Sequence, residues 1–65
     1  MRDYQILAYA VKQLVEQRGT YADAVSRGSA KDHAEYKHLC GLIQGLRQAE
    51  DIINDLVQKM EKSDD

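Results

Sequence analysis

The sequence feature that most constrains the fold is a three-four spacing of mainly apolar residues, interrupted once at residues 26–32. Residues at this spacing line one side of an α-helix. The sequence therefore predicts an all-α fold in which two helices, over about residues 3–27 and 30–62, each present one apolar row. We call these two rows together the seam. It comprises Tyr4, Leu7, Val11, Leu14, Arg18, Tyr21 and Val25 in the first helix and Tyr36, Leu39, Ile43, Leu46, Glu50, Ile53, Val57 and Met60 in the second.

The interrupting stretch "SRGSAKD" has the chemistry of a turn between two helices. Gly28 suits the left-handed residue that ends a helix, and Ser29 with Asp32 three positions later suits an N-terminal cap. A loop of about two or three residues makes the helices antiparallel neighbours, so the sequence predicts a helical hairpin. In such a hairpin the numbers of facing residues add to about 57, which places Leu14 opposite Ile43.

The second predicted helix is longer than the first, at roughly 50 Å against roughly 37 Å. In this register its last turns project beyond the start of the first helix, and Leu56, Val57 and Met60 have little to pack on. The apolar spacing continues through these turns without a break. The sequence therefore predicts a hairpin that assembles into a four-helix bundle or docks on a partner.

Two glycines, Gly41 and Gly45, lie four residues apart inside the second predicted helix, where each costs about 1 kcal/mol relative to alanine. They lie away from the seam, and small residues four apart let another backbone approach closely. The alternative is that both glycines are tolerated or permit a bend. The start of the first helix, "YQILAYAV", is also apolar nearly all round. The predicted interface comprises Ile6, Tyr9, Ala10, Gly41, Leu42, Gly45, Ala49, Ile52, Leu56 and Met60.

Arg18 and Glu50 are the charged residues of the seam. A two-fold axis between two hairpins brings Arg18 of one chain toward Glu50 of the other, and we predict an inter-chain pair there. A pair of this kind sets register more than it stabilises. Two alternatives stay open, namely that Arg18 extends into water and that Glu50 pairs with Arg47 one turn earlier.

Length and charge exclude several classes of protein. Sixty-five residues allow one domain, residues 1–65 with a frayed acidic tail at about 62–65, and a chain this small usually needs a disulfide, a metal or a partner. The single cysteine, Cys40, excludes an internal disulfide and predicts a reduced thiol in the cytoplasm. The net charge of −2 predicts no strong binding to nucleic acid. No apolar run approaches the ~20 residues of a membrane span, so no membrane association is expected.

The stretch "DHAEYKHLC" holds the densest set of potential metal ligands. Glu35 and His38 form the Glu-x-x-His unit of di-iron bundles, but the first helix provides no inward-facing glutamate to complete such a site. His33 and His38 are five residues apart, about 140° around a helix, which is wrong for a zinc pair. Cys40 lacks an adjacent base, and a hairpin has no concave pocket to hold a substrate. The sequence predicts no enzyme activity, no metal and no cofactor.

Two resemblances bear on function. The predicted architecture resembles the Rop family of plasmid copy-number regulators, whose helical hairpins dimerise into a four-helix bundle that binds paired RNA loops. The motif residues of that family are not matched here, so the resemblance implies the fold alone. The stretch "DHAEYKHLCGLIQGLRQAEDIINDL" is similar to short helical proteins of tailed bacteriophages. This similarity implies either a virion component or an accessory protein that engages a host factor.

The leading functional hypothesis is a non-enzymatic structural or adaptor protein that acts through helix–helix contacts. Its expected partner is a second copy, with a dimer favoured over other homo-oligomers, or a larger protein. One alternative is a Rop-like RNA-binding homodimer, in which assembly concentrates Lys12, Arg2 or Arg47 on one face. Another is a metal-binding helical bundle. The expected location is the cytoplasm, or the virion if the chain is phage-encoded.

Overall fold

The computed structural model describes residues 3–63 and contains two α-helices in that range. Helix α1 spans Asp3–Ser26 and helix α2 spans His33–Ser63. The described residues contain no strand, which confirms the predicted all-α helical hairpin. Helix α2 continues through the first two positions of the predicted acidic tail. The last two tail positions, and Arg2, lie outside the described range.

The hairpin is a single layer of two helices. Its Cα atoms extend over 50 × 16 × 12 Å, and their radius of gyration is 15.0 Å. A globular domain of the same length has a radius of gyration of about 11 Å. Most domains bury their core between two packed layers, but here there is one. Each helix is therefore covered along the seam, and both broad faces of the layer are open in the single chain.

A left-handed glycine ends α1, as the sequence predicts. Gly28 has a φ of 69°. Its N–H donates to the carbonyl of Val25 at 3.0 Å, and the N–H of Ser29 donates to the carbonyl of Ala24 at 2.9 Å. These two bonds form a Schellman motif, which satisfies carbonyl groups left open at the end of a helix.

The N-terminal cap of α2 is Asp32, and the prediction of Ser29 as the cap is wrong. Asp32 Oδ1 accepts a hydrogen bond from the N–H of Glu35 at 2.8 Å, so the helix begins at His33. The connecting loop covers residues 27–32 and is longer than the predicted two or three residues. Ser29 is not the cap because its backbone already belongs to the Schellman motif that ends α1. Asp32 is followed by Glu35 at the third helical position, an arrangement that favours Asp32 as the cap.

We expect the Asp32→Ala variant to be less stable than the natural chain by about 1 kcal/mol, because the N–H of Glu35 at the start of α2 loses its acceptor. The Ser29→Ala variant is the control, since Ser29 contributes only its backbone to the turn. Urea unfolding followed by helical circular dichroism measures both values. A larger loss of stability for Ser29→Ala than for Asp32→Ala would contradict the assignment of the cap.

The register of the hairpin is set by a contact between Arg18 and Glu50 within one chain. Their numbers add to 68, so the predicted sum of about 57 is wrong. Long side chains lean toward the N-terminus of their own helix, and in an antiparallel pair these two lean in opposite directions. The numbers of residues whose Cα atoms face each other therefore add to less than 68. We infer a sum of about 64, which differs from the predicted register by one heptad.

A sum of about 64 puts the last turns of α2 beside the first turns of α1, with Val57 expected at the level of Leu7 and Met60 at the level of Tyr4. Val57 is buried and Met60 is half-buried. The predicted overhang is therefore wrong for these two residues, whereas Leu56 remains exposed.

The core of the single chain is small. Val11 and Val57 are its buried apolar residues, at 9% and 8% exposure, and Glu50 is a buried charged one at 6%. Among the described residues, no side chain falls below 2% exposure. A chain of this size with so little burial is marginally stable without further contacts.

Candidate functional site

A second row of residues on each helix lies to one side of the seam. Both rows are rotated from the seam by about 100° in the same sense. Because both helices are right-handed and run in opposite directions, equal rotations place the two rows on one face of the hairpin. We call this the uncharged face. It comprises Ile6, Ala10, Gln13, Gln17, Thr20 and Ala24 of α1 and His38, Leu42, Gly45, Ala49, Ile52 and Leu56 of α2.

Over residues 6–24 of α1 and 38–56 of α2, this face contains no Asp, Glu, Lys or Arg, although these residues make up 31% of the chain. The next positions of the same rows are charged, namely Asp3, Glu35 and Lys59, and they bound the uncharged stretch. The opposite face carries Lys12, Arg47 and Asp51 together with Val15. A difference of this kind marks one face for solvent and the other for contact with protein.

Large apolar side chains of the uncharged face are open to solvent in the single chain. Ile52 is 69% exposed, Ile6 is 53% exposed and Leu56 is 45% exposed. Tyr9, at the outer edge of the face, is 62% exposed. A single exposed apolar residue needs no explanation, but a cluster of them on an uncharged surface is typical of an interface.

The structure brings most of the predicted interface residues together. Those on the uncharged face are Ile6, Ala10, Leu42, Gly45, Ala49, Ile52 and Leu56. Gly41 and Tyr9 lie at its outer edge, on the side of each helix farthest from the seam. Met60 belongs to the seam itself and is half-buried there.

Both interface glycines have open space beside them. A Cβ atom added at Gly41 or at Gly45 would meet no atom within 4 Å. The same is true of Gly19, which lies on the opposite face of α1. Packing of α1 on α2 therefore does not require glycine at positions 41 and 45. Their role in admitting another backbone stays a prediction, and Gly19 provides a matched control for it.

Arg18 and Glu50 form an ion pair with two hydrogen bonds. Arg18 Nε donates to Glu50 Oε2 at 2.6 Å, and Arg18 Nη2 donates to Glu50 Oε1 at 3.1 Å. The hydrogen bonding to Glu50 raises the pKa of Arg18, and the charges of Glu50 and Asp51 raise it further. Within the single chain the two charged groups satisfy each other, which replaces the two alternatives of Arg18 in water and of Glu50 paired with Arg47. The pair between two chains stays a prediction.

The polar residues near the start of α2 are spread around the helix. His33 stacks on Tyr36 with ring centroids 6.3 Å apart. Cys40 is a free, half-buried thiol, and its hydrogen bonding with Tyr36 raises the pKa of that tyrosine. Within residues 3–63, no group of three His, Cys, Asp or Glu side chains is arranged to hold a metal ion. Neither helix in this range is long and apolar enough to cross a membrane.

Five members of the uncharged face were not predicted from the sequence. On α1 they are Gln13, Gln17, Thr20 and Ala24, and on α2 the missed residue is His38. A search for apolar rows passes over such residues. The signal that identifies them is the uncharged stretch that they share with Ile52 and Leu56, which charged residues bound at the same rotation from the seam.

The candidate site is thus a broad uncharged surface on one side of a two-helix layer. Surfaces of this kind bind other helices through shape and apolar contact. Comparisons with protein-family models, with curated proteins and with solved structures found no match to the chain, so no family assignment follows from them.

Proposed function

We propose that this chain is a non-enzymatic structural or adaptor protein that acts through helix–helix contacts made by the uncharged face. The observation that carries the proposal is the exposure of Ile6, Ile52 and Leu56 on a surface without charged residues. Full burial of an aliphatic side chain of this size contributes about 1.5–3 kcal/mol. A partner helix that covers three such residues therefore supplies stability that the small core of the single chain lacks.

The glycines provide a direct test of this function. We expect the Gly45→Leu variant to lose the assembled form, because a leucine at this position holds a partner backbone away from α2. The Gly19→Leu variant is the matched control, since it places the same side chain in a helix on the opposite face, where the space is equally open. Sedimentation velocity compares the assembly of the two variants, and circular dichroism checks that both remain helical.

Equal sedimentation of the two glycine variants would contradict the proposal. A leucine at either site improves helix propensity by a similar amount, at roughly 1 kcal/mol. A difference between the variants therefore reports the surface and not the helix. Loss of helical signal in the Gly45→Leu variant alone would also count against the proposal, because position 45 would then matter to the hairpin itself.

The RNA-binding alternative predicts a different result. Lys12 and Arg47 lie on the face opposite the uncharged one, where Asp51 follows Arg47 by one helical turn. We expect no mobility shift of structured RNA at any salt concentration, because contacts with phosphate require a concentrated positive surface. A shift that weakens steeply as salt is raised would favour the alternative over an apolar contact.

The setting of the protein follows from the same proposal. The resemblance of the α2 region to short helical proteins of tailed bacteriophages supports a role as a virion component or as an accessory protein in the host cytoplasm. In either setting the uncharged face is the part of the chain that acts, because contact with another protein is the function.

A further inference from the structure

We propose that the uncharged face is covered by a second copy of this chain, and that the loops of the two hairpins lie at opposite ends of the resulting four-helix bundle. The inference rests on the proposed function, since it names the partner and the geometry of that contact. Three observations support it: the area that the single chain exposes, the small residues at the centre of the α2 row, and the spacing of the two rows.

The exposed area matches what a dimer of this size requires. The single chain exposes 5039 Å². A folded monomer of its mass, 7.4 kDa, typically exposes about 4,200 Å². The excess of roughly 800 Å² equals the area that each partner buries in a protein interface of standard size. A second hairpin packed on the uncharged face would cover an area of this order. The opposite face, with Lys12, Arg47 and Asp51, would stay in water.

Side-chain size varies along the α2 row of the uncharged face, which is bulky at both ends and small in the centre. From the loop toward the chain termini the row is His38, Leu42, Gly45, Ala49, Ile52 and Leu56. With opposed loops, α2 of one copy lies on α2 of the other, so the two small centres meet and the backbones can approach closely there. With both loops at one end, α2 lies on α1 of the other copy, and its small centre meets Gln17 and Thr20, which hold the backbones apart.

The spacing of both rows fits a single two-fold axis perpendicular to the helices. An antiparallel copy pairs the residues of each row from the two ends of the uncharged stretch inward. The next positions of the α2 row, Glu35 and Lys59, then lie opposite each other with opposite charges. The paired numbers add to 94 in α2 and to 30 in α1, which puts the row centres at residues 47 and 15. With facing numbers that add to about 64, these centres lie within about 3 Å of one level. The pairs are His38 with Leu56, Leu42 with Ile52, Gly45 with Ala49, Ile6 with Ala24, Ala10 with Thr20, and Gln13 with Gln17.

Distances between spin labels on the full chain test this geometry. The native thiol is first removed by Cys40→Ala, and a label is then attached at Ser29→Cys in the loop, where the side chain is exposed. With opposed loops, the two loop labels are about 40 Å apart, because each lies about 14 helical residues from the axis. A second variant, Gln48→Cys, labels an exposed residue close to the axis, and its two labels are expected within about 20 Å.

Each outcome of the labelling experiment decides the inference. Loop labels at about 40 Å with central labels within about 20 Å support it. Short distances at both sites place the loops together, which overturns the orientation and leaves the proposed function standing. Absence of dipolar coupling together with a single-chain mass overturns the second copy as the partner, and the proposed function then requires a different protein on the uncharged face. A mass above that of a dimer overturns the two-fold bundle, whatever the distances.

Discussion

Changing Ile52 and Leu56 together to glutamate is expected to separate the protein into single chains. A dimer formed through the uncharged face, as proposed, would have to bury two carboxylates from each copy among apolar side chains, and unpaired charges in such surroundings are strongly disfavoured. We expect the dissociation constant to rise by roughly a hundredfold or more. Sedimentation equilibrium over a range of concentrations measures this change.

The single hairpin alone gives no reason for so large an effect. In one chain, Ile52 and Leu56 are 69% and 45% exposed, so glutamate at either position stays in water. The control is the double variant Val15→Glu with Gln58→Glu, which adds the same charge on the opposite face at exposed positions. Equal dissociation constants for the two double variants would show that repulsion between chains, and not the uncharged face, controls assembly.

Replacing Arg18 with leucine is expected to lower the unfolding midpoint by roughly 10 °C at fixed protein concentration. The substitution leaves the carboxylate of Glu50, which is 6% exposed, inside the seam without its partner. Removal of one member of a buried ion pair is much more damaging than removal of both. Thermal unfolding followed by circular dichroism measures the midpoint.

The double variant Arg18→Leu with Glu50→Leu separates the value of the pair from the penalty for an unpaired charge. Leucine at both positions continues the apolar rows of the seam, so we expect the midpoint to return to the natural value or to exceed it. If the double variant is less stable than Arg18→Leu alone, the pair is not the source of the loss. If the single variant matches the natural chain, the ion pair does not hold the seam in its register.

The helices and the end of α1 follow from local sequence, whereas the loop does not. The three-four spacing and the glycine at position 28 are local signals, and the structure has both helices and the left-handed residue where those signals lie. Ser29 and Asp32 are both good capping residues, so preference alone does not choose between them. The choice depends on the hydrogen bond that the backbone of Ser29 makes to the end of α1.

The register was predictable from a rule about charge. Sums of about 57 and about 64 satisfy the three-four spacing equally well, because they differ by one heptad. In the first register Arg18 faces Leu39 and Glu50 faces Leu7, which buries two charges without partners. In the second register the two charged groups reach each other. Since buried charges are normally paired, the cost of leaving them unpaired identifies the second register as the better one.

Seven of the twelve residues of the uncharged face were predicted from the sequence, and five were not. Ile52, Leu56 and Gly45 stand out in the sequence because they form a row of their own on α2. The α1 row contains Gln13 and Gln17, which no apolar pattern includes. The two rows share one face because the helices are antiparallel and both right-handed. This is a property of the three-dimensional structure and not of either row alone.

The most direct test of the account is the molar mass of the natural chain in solution, measured by sedimentation equilibrium from micromolar concentration to about 1 mM. The account predicts a reversible approach to twice the chain mass of 7.4 kDa as concentration rises. A mass that stays at 7.4 kDa across the whole range, with a stably folded hairpin, would contradict it. In that case Ile6, Ile52 and Leu56 would be ordinary surface residues with no second copy to cover them.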